Sequence, residues 1–283
     1  MYENGVSICI TAYKSEKFIK ECLDSVMNQT WFNTHDNWEV IVGVDGCANT
    51  LHYLQSIMGN YKNLRVLMMD SNKGTYVTTN TVMKQAKYNG LIRFDSDDIM
   101  LPNMVEKIML GRNDYDIIKF RMQNFGRNTS TNGACGQIYL RHDTFDKFGG
   151  YMPWVCSADF ELLQRLKKFV KMKKIPEVLF KRRIHDTNLT VAKETNYVSP
   201  LRLSIAHAIE KERFRNEKEA IIDCKTNTFK EIFPDTDISM YEVIEEPAKE
   251  EYNDKTCNRR VSAIRGRKKV TAKESKYKYH ILA

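Results

Sequence analysis

The chain lacks any apolar run approaching the ~18–20 residues that a membrane-crossing helix needs, so no transmembrane segment is expected. Its opening residues, Met1-Tyr2-Glu3-Asn4-Gly5, offer neither a basic start nor an apolar stretch of signal-peptide length, and export is not expected either. There is no C-x-x-C pair among the seven cysteines (Cys9, Cys22, Cys47, Cys135, Cys156, Cys224 and Cys257). An odd, unpatterned set argues against a disulfide framework. It points to free thiols in a reducing cytoplasm, most of them acting as small buried hydrophobes. No internal repeat is present, which argues against solenoids and propellers.

What remains is an ordinary globular composition, 42% hydrophobic and 28% charged, in a chain of 283 residues that can bury a full core. The charge is unevenly placed. Lys255 to Ala283 holds ten Lys/Arg against the single acid Glu274, a charge of +9, whereas the whole chain is +8 and residues 1–254 therefore sum to −1. Glu231 to Asp254 holds nine acids against Lys249. Basicity is thus a property of the tail, and any polyanion contact must be argued from there.

Periodicity predicts an alternation of strands and helices over the first hundred residues. Strands are expected at Val6–Thr11, Trp38–Val44, Leu64–Met69 and Leu91–Phe94, with helices at 18–26, 51–58 and 76–86 between them. That order implies a doubly wound, mostly parallel α/β sheet, in which ligands gather beyond the carboxyl ends of the strands. Those ends carry Thr11-Ala12-Tyr13, Asp45-Gly46, Asp70 to Gly74 and Asp95-Ser96-Asp97-Asp98. Further on, helices are expected at 104–110, 160–169 and 199–219, and strands at 116–122, 137–140 and 178–183. Low apolar content beyond Ala248 reads as poor order. The domain reading is 1–198 for the α/β domain and 199–283 for a helical, partly disordered extension with an acidic segment and a basic tail.

Asp95, Asp97 and Asp98 crowd the end of a buried strand, where carboxylates repel one another unless a cation or a set of donors compensates. A hard divalent ion, Mg2+ or Mn2+, is held by one or two such carboxylates with phosphate oxygens completing its shell. A solvated acidic turn is the plainer alternative for an isolated D-x-D.

The ordered set Val6-Ser7-Ile8-Cys9-Ile10-Thr11-Ala12-Tyr13, Val42-Gly43-Val44-Asp45-Gly46, Asn72-Lys73-Gly74 with Asn80, and Phe94-Asp95-Ser96-Asp97-Asp98 resembles the family 2 glycosyltransferases of the GT-A (Rossmann-like) fold. The resemblance continues through Phe148-Gly149-Gly150-Tyr151 and Ser157-Ala158-Asp159-Phe160-Glu161-Leu162 to Arg183-Ile184-His185, covering roughly residues 5–190. It implies a UDP-sugar-dependent, metal-dependent inverting transferase. Thr11, Ala12 and Tyr13 would line the nucleoside pocket, and Asp45 would accept from the base. Lys73, Gly74 and Asn80 would lie near base, ribose and phosphates, while Asp95 and Ser96 would border the ribose. Asp97 would be the principal metal ligand, with His185 reaching the same metal or the diphosphate. Asp159 would be the general base; members often carry Glu-Asp there, and this chain has Ala158-Asp159. Asp159 also reads as a helix N-cap before Phe160.

The acceptor is not implied by the family. The tail residues Arg259, Arg260, Arg267, Lys268 and Lys269, interleaved with tyrosines, suit a nucleic-acid backbone or an anionic membrane surface. A solvated tail is the bland alternative. Two enzyme expectations follow. One is glucose transfer to glucosylated hydroxymethylcytosine in phage DNA, in a host cytoplasm, as in the T-even-type enzymes this chain resembles. The other is synthesis of bacterial surface polysaccharide or lipopolysaccharide, with peripheral membrane contact. A basic DNA-binding protein with an inactive transferase core is a third, disfavoured because Asp45, Asp97 and Asp159 are all present.

Overall fold

A computed structural model describes residues 2–126, 132–211 and 214–243, with the side chains of 132–135 left aside. All of these lie within one compact unit, Met1–Val243, so the segment 199–243 is part of the same unit as the first 198 residues. In chain order the elements are β1 (Glu3–Ala12), α1 (Ile19–Met27), β2 (Trp38–Val44), α2 (Ala48–Met58), β3 (Leu64–Met69), α3 (Thr75–Lys84) and β4 (Tyr88–Asp95). These are followed by β5 (Ile99–Met100), α4 (Met104–Gly111), β6 (Ile117–Phe125), β7 (Asn132–Arg141), α5 (His142–Phe148), α6 (Ala158–Leu166), β8 (Met172–Arg183), α7 (Pro200–Lys211) and β9 (Phe229–Ile232).

One nine-stranded sheet runs β5-β8-β6-β7-β4-β1-β2-β3-β9. Its centre, β4-β1-β2-β3, is parallel, as the strand–helix alternation requires. The additions are mixed: β7 joins β4 antiparallel, β8 joins β6 parallel, and β9 closes the β3 edge antiparallel. Successive side chains of a strand point to opposite faces, and β1 displays this cleanly. Val6, Ile8 and Ile10 pack with α1, α2 and α4 on one face, whereas Cys9 packs with α3, α5 and α6 on the other. Helices on both faces make the sheet doubly wound and leave its carboxyl edge as the open crevice.

Four elements depart from the sequence reading. Strands β5 and β9 and helix α5 are additional, and α7 ends at Lys211 instead of continuing to 219. The cysteine expectation is met where side chains are described: Cys9, Cys22, Cys47, Cys156 and Cys224 are free, the first four of them buried. Among the described residues, no helix is long and apolar enough to cross a membrane.

Candidate active site

The parallel register brings the strand ends together. Thr11 of β1 lies opposite Gly43 of β2 on one side and Asp95 of β4 on the other, so the acidic segment sits beside Thr11-Ala12-Tyr13. The three acids there have separate surroundings. Asp98 is buried, accepting from the Arg183 amide at 2.8 Å and from Gln137 Nε2 at 2.5 Å. Asp95 accepts from Arg93 at 2.8 Å and from Gln137 Nε2 at 3.2 Å. Burial first, and then the neighbouring Asp97, raise the pKa of Asp95; Arg93 opposes the rise without cancelling it. Burial, Asp97 and Asp95 likewise hold Asp98 well above the ordinary carboxylate range.

Asp97 meets His185 across the cleft, Oδ2 to Nε2 at 2.8 Å, and Asn188 Nδ2 donates to the same oxygen at 2.9 Å. Thr187 Oγ1 lies 2.8 Å from the other ring nitrogen of His185, and the His185 amide donates to Asn188 Oδ1 at 2.7 Å. A second hydrogen bond of that kind orients a metal-binding imidazole. Two adjacent ligands of an octahedral ion, each about 2.1 Å from it, stand about 3 Å apart, so the Asp97–His185 spacing fits a shared divalent cation. Among the described residues no group of three or more His, Cys, Asp and Glu side chains is arranged to hold a metal. A pair completed by diphosphate oxygens is the pattern of Mg2+ or Mn2+, not of a closed structural site.

On the nucleoside side, buried Asp45 organises a loop. Its oxygens accept from the amides of Lys73 at 2.9 Å and Gly74 at 3.0 Å, and from Thr78 Oγ1 at 2.8 Å. Gly74, at φ 88°, starts α3 in a conformation that favours glycine, and nothing lies within 4 Å of where its Cβ would be. Lys73 is exposed beside it. Thr11 Oγ1 pairs with Thr79 Oγ1 at 2.9 Å, Ala12 O accepts the Asp45 amide, and Tyr13 stands 48% exposed at the rim. Ser96 Oγ meets Ser15 Oγ at 2.8 Å, tying the β4 end to the turn after β1. Asn80 corrects the expectation. It is fully buried, its amide donates to Tyr151 O and Lys225 O, and its oxygen accepts the Tyr151 amide at 2.9 Å. Its hydrogen-bonding groups are thus engaged in a clasp inside the fold.

On the opposite side, Asp159 is not the helix cap. Ser157, at φ 66°, occupies that place, and Asp159 lies in the first turn of α6, where the helix dipole favours an anion. Tyr76 Oη donates to its Oδ1 at 2.9 Å. Its Oδ2 lies against β7 at Gly136, where an added Cβ would be 2.1 Å from that oxygen. Beneath both runs buried Arg93, stacked at 5.6 Å over the Tyr76 ring and 5.8 Å over Tyr151. Burial opposes the charge of Arg93, but Asp95, the two tyrosines and Asp159 outweigh it and raise its pKa.

With this geometry in place, residues 7–177 match the model of Glycosyl transferase family 2. The chain belongs to that family. An uncharacterised glycosyltransferase of Haemophilus influenzae is 33% identical over 113 residues, 39% of this chain and 34% of that protein. A chondroitin synthase of Escherichia coli is 26% identical over 211 residues, 66% of this chain and 30% of that protein. A poly(ribitol-phosphate) beta-glucosyltransferase of Bacillus spizizenii is 35% identical over 95 residues, 33% of this chain and 15% of that protein. The chain thus spans about a third of the first of these relatives, 34% and 30% of their lengths. Among solved structures, S. aureus TarS 1–349 with UDP-GlcNAc superposes with a TM-score of 0.59 at 18% identity, covering 76% of this chain and 69% of that one. A Pyrobaculum calidifontis mannosyltransferase with GDP-Man and Mn2+ gives 0.56 at 14% identity, covering 78% and 68%. At those identities the two structures support the fold.

Within this family 2 chain the sequence reading missed Tyr76, Arg93, Gly136, Gln137 and Asn188. Arg93 and Gln137 carried a usable signal, a polar residue inside an otherwise apolar strand; the others carried none. The tail residues Arg259, Arg260, Arg267, Lys268 and Lys269 lie outside the described residues.

Proposed function

We propose that the protein is a metal-dependent inverting glycosyltransferase that moves a sugar from a UDP-sugar to a hydroxyl of a bacterial surface glycan. The observation that carries this reading is on β7. Gly136 lies against Asp159, and the next residue, Gln137, bridges Asp95 and Asp98. An acceptor-side carboxylate and the donor-side acids are thereby held at one strand-end cleft. Asp97 and His185 would hold a divalent cation there, which would supply positive charge against the leaving diphosphate. Asp159 takes the proton of the attacking hydroxyl as the glycosidic bond forms. Asp45 and the Lys73-Gly74 loop seat the nucleoside, with Thr11, Ala12, Tyr13 and Ser96 lining it.

The names of the relatives favour the glycan acceptor: one makes chondroitin and another glucosylates poly(ribitol phosphate). Neither name involves nucleic acid, so surface glycan replaces modified DNA as the preferred acceptor. The decisive experiment supplies labelled UDP-glucose or UDP-GlcNAc with Mn2+ and offers glycan or glucosylated phage DNA. Label is expected in the glycan. Asp97→Ala is expected to abolish transfer and metal-dependent UDP binding with an unchanged far-UV circular dichroism spectrum. Full activity in that variant, or in excess chelator, overturns the metal assignment, and label in DNA overturns the acceptor.

A further inference from the structure

A groove of about 390 Å3 opens between α6 and α7, lined by Phe160, Gln164, Lys167, Lys168, Ile209 and Phe214 among others. It starts one residue from Asp159. Phe160, Gln164, Lys167 and Lys168 follow one another at helical spacing, so they share one face of α6 and of the turn that ends it. At 1.5 Å per residue, the seven or eight residues from Phe160 to the lysines span about 10–12 Å, room for a short stretch of glycan. Phe160 is 38% exposed, an apolar ring surface at the end of the groove nearest the base. The far end is basic, because Lys167 and Lys168 line it. Glu210, on the facing wall, is the acid that lines the groove.

We infer that this groove holds the acceptor chain and selects an anionic one: a sugar ring lies on Phe160 beside Asp159, and a phosphate or carboxylate one or more units away meets Lys167 and Lys168. The inference rests on the glycosyltransferase reading and adds the chemical class of its acceptor. The floor of the groove is rigid, since buried Arg165 is paired to Glu161 at 2.6 Å and donates to three backbone carbonyls, so the lysines are carried on a fixed helix. Phe160, the chain neighbour of Asp159, lines this groove, whereas the second one, around Phe32, Trp38 and Tyr61, lies at Trp38, which opens β2 at the strand end opposite the cleft.

The test uses the full chain and two probes of equal length, an oligo(ribitol phosphate) and a neutral oligosaccharide. Direct binding, by calorimetry or fluorescence anisotropy, is measured alongside transfer. The anionic probe is expected to bind at least about tenfold more tightly, with the preference fading as salt rises. Lys167→Glu/Lys168→Glu is expected to raise the acceptor Kd and KM about tenfold or more while kcat stays within a few-fold, and Phe160→Ala to weaken both probes alike. Equal binding of the two probes, or an unchanged acceptor Kd in the folded double variant, overturns the inference. Lysine-dependent binding without transfer from either UDP-sugar would sustain the groove and count against the donor assignment. Lysine-dependent binding of duplex DNA in place of the anionic glycan would reject it.

Discussion

At the scale of single residues, the site is defined by what each carboxylate is bonded to. Tyr76 is buried, and burial together with the Asp159 charge raises its phenol well above the usual value, so it remains a proton donor across the working pH range. It can therefore hold Oδ1 of Asp159 in place, which in the proposed mechanism keeps the carboxylate aimed at the acceptor. A hydrogen bond to a charged group contributes about 1.5–3 kcal/mol, which corresponds to roughly 10–100-fold in rate if the bond serves orientation in the transition state. Tyr76→Phe is expected to lower kcat by that amount with little change in donor KM. Asp159→Asn is expected to lose at least ~100-fold while still binding donor. Steady-state kinetics distinguishes the two: wild-type turnover in Asp159→Asn would place the base elsewhere, and in Tyr76→Phe it would remove the orienting role of Tyr76. Gly136 belongs to the same account, since any side chain there would displace the carboxylate.

At the scale of elements, α6 matters because it carries both Asp159 and the groove. It is fastened from its own interior. Arg165 and Glu161, one turn apart, are 0% and 1% exposed, and Arg165 also donates to the carbonyls of Phe148, Gly150 and Ala220. Removing one partner of such a pair costs about 3–5 kcal/mol, because the other charge stays buried without its counter-charge. Arg165→Met is therefore expected to lower Tm by roughly 10 °C, as read by calorimetry, and to reduce transfer by loosening α6. A stability change below about 1 kcal/mol would mean that α6 is held by its apolar contacts instead. Helix α5 escaped the sequence reading because seven residues are too few for a clear period. Only Phe145 and Phe148 of it are large apolar residues, and both are buried against Leu140 and Leu162. Strand β9 escaped for a similar reason: Phe229-Lys230-Glu231-Ile232 becomes a strand because the edge of β3 is there to pair with, and Arg65 of β3 meets Glu231 at 2.8 Å.

At the scale of the whole molecule, pH acts on the fold through buried groups both far from the cleft and within it. His142 is buried at the start of α5, within hydrogen-bond reach of the Tyr88 carbonyl, and burial lowers its pKa below the ordinary value. The unfolded chain therefore takes up that proton first as pH falls. Stability that is complete above the unfolded value of about 6.5 is lost as pH drops through it toward the lower folded value. Asp95 and Asp98 act in the opposite sense, because their raised folded values favour protonation of the native state. Thermal melts from pH 7.5 to 5.5 are expected to show a decline in Tm that His142→Gln flattens. An identical slope in that variant would assign the decline to other groups.

The amino-acid sequence by itself determined the centre of this protein. Strands β2 and β3 begin and end where their apolar, β-favouring runs begin and end, because a strand buried on both faces is specified by its own residues. The placement of Asp45 and of Asp95 to Asp98 at strand ends followed from the same local pattern. Tertiary structure alone decided which of those residues meet. Asp97 and His185 are 88 positions apart and are paired only once β8 has entered the sheet beyond β6. Gln137 reaches Asp95 over 42 positions because β7, and not a fifth parallel strand, lies beside β4. Asn80 is clasped inside the core because the Tyr151 backbone and the Lys225 carbonyl, 71 and 145 positions away, meet its amide there. Periodicity within an element is a property of consecutive residues, whereas strand order and the hydrogen-bond partners it delivers depend on every element packed at once.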